Sequence, residues 1–166
     1  MIDLTKFREN ADEHGICEEY SERWAHCVSK KQLIDLALDV NGTIYLCNAI
    51  AKGWGPSPEF IEDKFAPFIN GRYTFDNGKY TAQMFCNCTG TVNAETTLLT
   101  LINSEVKVYV SRDQICEIHA VGCENITLYG EGKATLVIYR GVNTTNVSAD
   151  DNIQLKVTYQ KDGGFE

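Results

Sequence analysis

No apolar run in this chain approaches the roughly 20 residues that a membrane-spanning helix needs. The opening residues, Met1-Ile2-Asp3-Leu4-Thr5-Lys6, lack the basic and apolar regions of a signal peptide. The expectation is therefore a cytoplasmic protein without a membrane partner. Positive charge is also scarce. There are 15 Lys and Arg against 23 Asp and Glu, a net charge of −8, and neither half of the chain is basic. A protein that grips phosphodiester backbones usually carries a positive stripe, so direct nucleic-acid binding is not expected, although a few cations can still hold a small anion. The 7 cysteines are odd in number, and none of their spacings is Cys-x-x-Cys. Neither a disulfide framework nor a standard zinc site follows from them, and the thiols are expected to be free. Two looser metal groupings, His119 with Cys116 and Cys123, and Cys17 with His26 and Cys27, are weaker readings than no metal at all. A Gly-rich phosphate loop, a nucleophile elbow and a His-Glu-x-x-His pattern are missing, and the one near pair of thiol and base, Cys123 and His119, straddles a turn at Gly122. The chain therefore reads as a non-enzyme with no cofactor.

What the sequence does contain is a repeat. From Met84 to Gly163 the apolar positions recur about every twenty residues, in copies spanning 84–103, 104–123, 124–143 and 144–163. Cys86, Val106, Ile126 and Asn146 share one column of this alignment, and Cys88, Val108, Leu128 and Ser148 the next; Cys116 shares a column with Leu136. Within a copy the alternation is strand-like: Val106, Val108 and Val110 alternate with Lys107 and Tyr109, and Ile118 and Ala120 with Glu117 and His119. Turn residues, Ser111-Arg112-Asp113-Gln114 and Gly130-Glu131-Gly132-Lys133, separate the strands. Two short strands per copy predict a β-solenoid whose rungs bury their apolar faces on one another. The alternative is an antiparallel β-sandwich or meander with evenly spaced hairpins.

Residues 1–69 follow a helical period instead. Leu4, Phe7 and Ala11 mark a first helix capped by Asp3 and ended by Gly15; Cys17, Tyr20, Trp24 and Cys27 mark a second. Ser29-Lys30-Lys31-Gln32 is a capping-box pattern that starts a third, expected to run to about Val40 and stop near Asn41-Gly42. A nearly all-apolar core helix follows over Thr43 to Lys52; Ser57-Pro58-Glu59 starts a fifth. Residues 70–83 read as a hairpin with Asp76-Asn77-Gly78 at its tip. The predicted fold is α+β: a helical module over 1–69, a connecting hairpin over 70–83 and a β-repeat region over 84–166. No Pro/Ser-rich linker separates them, so they are expected to pack together.

The small helical module, the connection Gly53-Trp54-Gly55-Pro56-Ser57-Pro58-Glu59, the stretch Phe65-Ala66-Pro67-Phe68-Ile69-Asn70-Gly71 and the short all-β tail resemble small accessory proteins of prophages and mobile elements of gut anaerobic bacteria. The resemblance covers most of the chain and carries over no catalytic residue. It implies a virion part or a protein that blunts a host defence in the cytoplasm of the bacterial host cell. The expected function is a non-catalytic, counter-defence binding protein that occupies a host protein or sequesters a small anionic, nucleotide-like ligand. The alternative is a structural, oligomeric solenoid of a virion or scaffold. The candidate ligand or interface residues are Tyr109, Tyr129 and Tyr139 with His119, expected as aromatic ladders on the solenoid surface, Arg140 beside them as a phosphate partner, and Trp54 in its loop. An exposed flank of Tyr109, Tyr129 and Tyr139 predicts a homo-oligomer, a dimer or trimer.

Overall fold

In a computed structural model the protein is described over residues 4–66, 68–74, 81–141 and 144–160. It is α+β. Among the described residues five helices, α1 (Thr5–Glu13), α2 (Glu18–Ala25), α3 (Lys30–Leu38), α4 (Val40–Ala51) and α5 (Pro58–Phe65), precede ten strands. These are β1 (Gly71–Thr74), β2 (Thr81–Cys86), β3 (Thr89–Asn93), β4 (Leu98–Ile102), β5 (Glu105–Val110), β6 (Ile115–Val121), β7 (Asn125–Gly130), β8 (Lys133–Tyr139), β9 (Asn146–Ala149) and β10 (Gln154–Gln160).

The strands form a β-solenoid of about four turns. Sheet A has the order β1-β2-β4-β6-β8-β10 and sheet B the order β3-β5-β7-β9. Every ladder is parallel except β1 with β2. The parallel ladders exclude the sandwich and meander, whose hairpins make antiparallel neighbours. The twenty-residue period is an average. Partner positions in sheet A lie 16 residues apart at Ala82 and Leu98, 19 at Leu98 and Glu117, 18 at Ile115 and Lys133, and 21 at Lys133 and Gln154. In sheet B the steps are 16, 20 and 21, at Gly90, Val106, Ile126 and Val147. Two predicted columns therefore survive only in part, and the third, Cys116 with Leu136, does not form. Val106 stacks on Ile126 and Val108 on Leu128, but Cys86 pairs with Ile102 in the other sheet, Ser148 with Thr127, and Cys116 with Ala134 rather than Leu136.

The true register is set at the corners between the sheets. Asn87, Asn103 and Gly122 occupy the left-handed region at φ 55°, 46° and 68° and turn the chain from sheet A into sheet B at successive rungs. Asn and Gly tolerate that region best. The Asn103 side-chain amide donates to Asn87 Oδ1 at 2.7 Å, so consecutive corners are also bonded to each other. The next residue in each corner, Cys88, Ser104 or Cys123, is small enough to tuck under the turn.

Sheet A is covered on both faces. Its inner face, with Leu99, Leu101, Ile118, Leu136 and Ile138, meets Val106, Val108, Ile126 and Leu128 of sheet B in the solenoid core. Its outer face, with Met84, Cys86, Leu98, Ile102, Val121 and Tyr139, packs on Ile34, Leu38, Cys47, Ile61 and Phe65 of the helices. The helical module packs on the repeat region as expected, over a face of sheet A, whose first strand is β1.

Local signals explain most helix boundaries. Ser29 and Gln32 complete the capping box of α3, and Ser57 caps α5 with Pro58 at its first position. The α3 to α4 boundary differs from expectation. Asp39 ends α3 and caps α4 by accepting from the Gly42 amide at 2.7 Å. Asn41-Gly42 is thus the first turn of a helix and not the loop between two. Gly42 is needed for closeness, since a Cβ there would sit 1.8 Å from the Leu36 carbonyl oxygen. Helices α3 and α4 meet at 90°, and among the described residues no single helix is long and apolar enough to cross a membrane. The predicted Asp3 cap, the Asp76-Asn77-Gly78 tip and residues Lys161 to Glu166 lie outside the described residues.

Two glycines separate backbone strain from crowding. Gly15 and Gly130 both have positive φ, 80° and 114°, but a Cβ on Gly15 meets nothing, whereas one on Gly130 lands 2.2 Å from the Val110 carbonyl oxygen. Gly15→Ala is expected to lower unfolding free energy by about 1 kcal/mol, and Gly130→Ala by about 2 to 3 kcal/mol or more, read from urea denaturation. Equal losses at the two positions would contradict this packing of β7 on β5.

Candidate functional site

The outer face of sheet B is the broad sheet face that no described helix covers. On β5 the alternation puts Val106, Val108 and Val110 inside and Glu105, Lys107 and Tyr109 outside, and β7 repeats it with Asn125, Thr127 and Tyr129. Tyr109 and Tyr129 are direct ladder partners, as the repeat predicts, with ring centroids 5.2 Å apart and planes tilted by 48°. Beside them Thr91, Lys107, Thr127 and Ser148 form a polar column, and Glu105, Asn125 and Asn146 form another, in which the Asn125 amide donates to Glu105 at 3.2 Å. At the rim Arg112 bonds Glu131 at 2.9 Å, joining two rungs.

His119 and Tyr139, predicted on the same surface, lie elsewhere. They point from sheet A toward the helices and are only 1% and 2% exposed. Alternation along β6 distinguishes its two sides but not water from a second buried layer. Nor are they direct strand neighbours, since His119 pairs with Val137 and Tyr139 with Val121. Their side chains still meet: Nδ1 of His119 lies 2.7 Å from the Tyr139 hydroxyl and Nε2 lies 2.6 Å from Glu117 Oε1. A carboxylate only accepts, so Nε2 carries the hydrogen; in the neutral ring Nδ1 then accepts from the tyrosine. Burial holds the His119 pKa below its ordinary value of 6.5 and outweighs Glu117, which pulls the other way. Burial likewise raises Tyr139 and keeps it protonated. This chain satisfies buried polar groups and offers no open reaction space. Close by in the layers, Thr100 Oγ1, opposite His119 in the ladder, and Asn48 Nδ2 on α4 are buried without a hydrogen-bond partner among the described residues.

Arg140 is exposed and its guanidinium lies 4.9 Å from the centre of the Tyr159 ring, at the last strand of sheet A and away from the Tyr109 and Tyr129 pair. Trp54 stacks on His14 with centroids 4.7 Å apart, and its carbonyl accepts from the Asn10 amide at 3.0 Å. It lines a cavity of about 110 Å³ between the helices and β2, together with Phe7, Tyr20, Trp24, Tyr45 and Met84. The Trp54 indole N–H is buried there without a partner among the described residues. The six predicted residues thus fall in four places: Tyr109 with Tyr129, His119 with Tyr139, Arg140, and Trp54.

No protein-family model, curated protein or solved structure matches this chain.

Sequence reasoning missed Asp39, which besides capping α4 accepts from the Tyr20 hydroxyl and bonds Arg23 at 3.2 Å. Its signal is the acid immediately before Val40. Neither of the two weighed metal groupings forms, and among the described residues no three His, Cys, Asp or Glu side chains converge as ligands. Cys86 and Cys116 are pushed up to about 12 and Cys123 to about 11, in each case chiefly by burial. A raised thiol has little thiolate at neutral pH and reacts slowly.

Two outcomes follow. Because native His119 resists protonation while the unfolded ring does not, the unfolded state binds more protons once pH falls below 6.5. Stability gained above that pH is lost below it, by at most about 1.4 kcal/mol per pH unit. His119→Gln should flatten this limb in urea titrations between pH 6.5 and 5, and an unchanged limb would contradict the assignment. In thiol titration at neutral pH the exposed Cys17 should react first, with Cys47, Cys86, Cys116 and Cys123 released only on unfolding. Fast native labelling of the buried four would contradict their placement.

Proposed function

We propose that this chain is a non-catalytic binding protein that works by occupying a protein partner with the outer face of sheet B. The observation that supports the reading is the asymmetry of the two sheets. The helices cover sheet A, whereas sheet B presents its outward side chains over four parallel strands around the Tyr109 and Tyr129 pair. Neighbouring tyrosines in ring contact give a rigid contact area with little side-chain entropy to lose, and the threonine, asparagine and lysine columns surround them with hydrogen-bonding groups. The chain's net charge of −8 favours a partner with a basic surface. The resemblance to accessory proteins of mobile elements supports a counter-defence setting, in which occupying a host protein is sufficient.

A second reading has its own observation. The cavity under Trp54 suits a small apolar ligand, because its walls are aliphatic and aromatic and the indole N–H can serve one acceptor. It does not suit a nucleotide, whose phosphates need charge or backbone donors.

The face is tested by capture from lysate of a gut anaerobe and by titration with whatever protein is retained. Tyr109→Ala with Tyr129→Ala is expected to weaken binding at least about tenfold, as loss of central aromatic anchors does. Val28→Ser, on the helical side, should leave it unchanged. Equal binding by all three proteins would overturn the proposed face. A melting shift with small aromatic probes, accompanied by a change in fluorescence of Trp24 and Trp54, would favour the cavity instead.

A further inference from the structure

Sheet A begins on β1, which pairs antiparallel with β2, and finishes at the other end on β10, which pairs only with β8 among the described strands. The register places Leu155, Val157 and Tyr159 over Ala134, Leu136 and Ile138, so they continue the columns of the solenoid core. Leu136 and Ile138 are buried, whereas Val157 is 36% and Tyr159 48% exposed. Opposite them, β9 continues the inner columns of Ile126 and Leu128 with Val147 and Ala149 and is likewise the last strand of its sheet. An apolar core end and two unpaired strand edges therefore coincide, the situation that solenoids otherwise cover with a cap.

The geometry points to a second copy of this chain as the cover, docked tail to tail about a two-fold axis normal to the sheets. β10 spans Gln154–Gln160, and its inward row of Leu155, Val157 and Tyr159 is symmetric about Val157. A two-fold axis there runs the two β10 strands antiparallel. Val157 then faces its own counterpart, Leu155 faces Tyr159, and Lys156 faces Thr158, so no like charges are directly opposed. The same axis lays β9 beside its counterpart. Charge follows the same symmetry. The exposed Asp150 and Asp151 precede the start of β10, and Arg140, resting on Tyr159, lies by its end. Antiparallel pairing brings the acidic turn of each copy to the arginine of the other. The β9 and β10 edges of both copies are used up by the pairing, so growth at this end stops at a dimer. This replaces the predicted flank interface, because Tyr139 is buried and cannot share a surface with Tyr109 and Tyr129.

Light scattering and sedimentation over about 1 to 100 µM should give twice the chain mass, with dissociation toward the low end. Val157→Lys and Val157→Glu should each raise the dimer dissociation constant at least about 100-fold, while an equimolar mixture of the two variants should recover a heterodimer. Arg140→Glu alters only an exposed side chain and should weaken the dimer about tenfold, with recovery when combined with Asp150→Arg and Asp151→Arg. Tyr109→Ala with Tyr129→Ala should leave it unchanged. A monomer throughout, as when residues 161–166 of the same chain cover the edge, would overturn the inference. So would a dimer indifferent to Val157→Lys and Arg140→Glu, or one lost through Tyr109 and Tyr129.

Discussion

Burial of sheet A on both faces is the constraint from which the rest follows. Sheet A needs cover on each side because its central strands carry apolar residues in both directions. β4, Leu98 to Ile102, is buried at all five positions. One side of it belongs to the solenoid and the other to α3, α4 and α5. The helices are not stable alone in water at eight to twelve residues. The solenoid without them would expose Met84, Leu98, Ile102 and Val121. Each half therefore supplies the surface that the other must bury, and the polar groups trapped between them, His119 and Tyr139, bond each other, with His119 also reaching the half-exposed Glu117.

The same asymmetry decides what was legible in the sequence. Sheet B has one wet face, so β5 and β7 alternate cleanly, and their columns and the Tyr109 and Tyr129 ladder could be read directly. Sheet A has no wet face over β4, and past Glu117 the alternation in β6 marks two dry environments. Periodicity alone assigned His119 and Tyr139 to solvent for that reason. The averaged twenty-residue period also hid unequal rungs. The better ruler was present as Asn87-Cys88-Thr89, Asn103-Ser104-Glu105 and Gly122-Cys123-Glu124, whose spacings of 16 and 19 reproduce the ladder steps of sheet A.

Among the helices, capping chemistry was a reliable guide where the side chain and the turn agreed, as at Ser29 and Ser57. It failed at Asn41-Gly42, where Asn-Gly is the strongest turn pair by composition but Asp39 offers its carboxylate to the Gly42 amide. Close passage of α4 over Leu36 then needs the missing side chain for packing. The candidate site divides in the same way. The exposed tyrosine pair was visible because it is repeated; the apolar cavity under Trp54 and the open end at Val157 depend on how distant segments come together, which no local pattern encodes.

Native-state hydrogen exchange tests the central dependence most directly. If helices and solenoid hold each other through sheet A, the slowest amides of α4 and those of β4 and β6 should open with one free energy and one denaturant dependence. α4 amides exchanging through a separate, much cheaper opening while β4 and β6 stay protected would contradict that account.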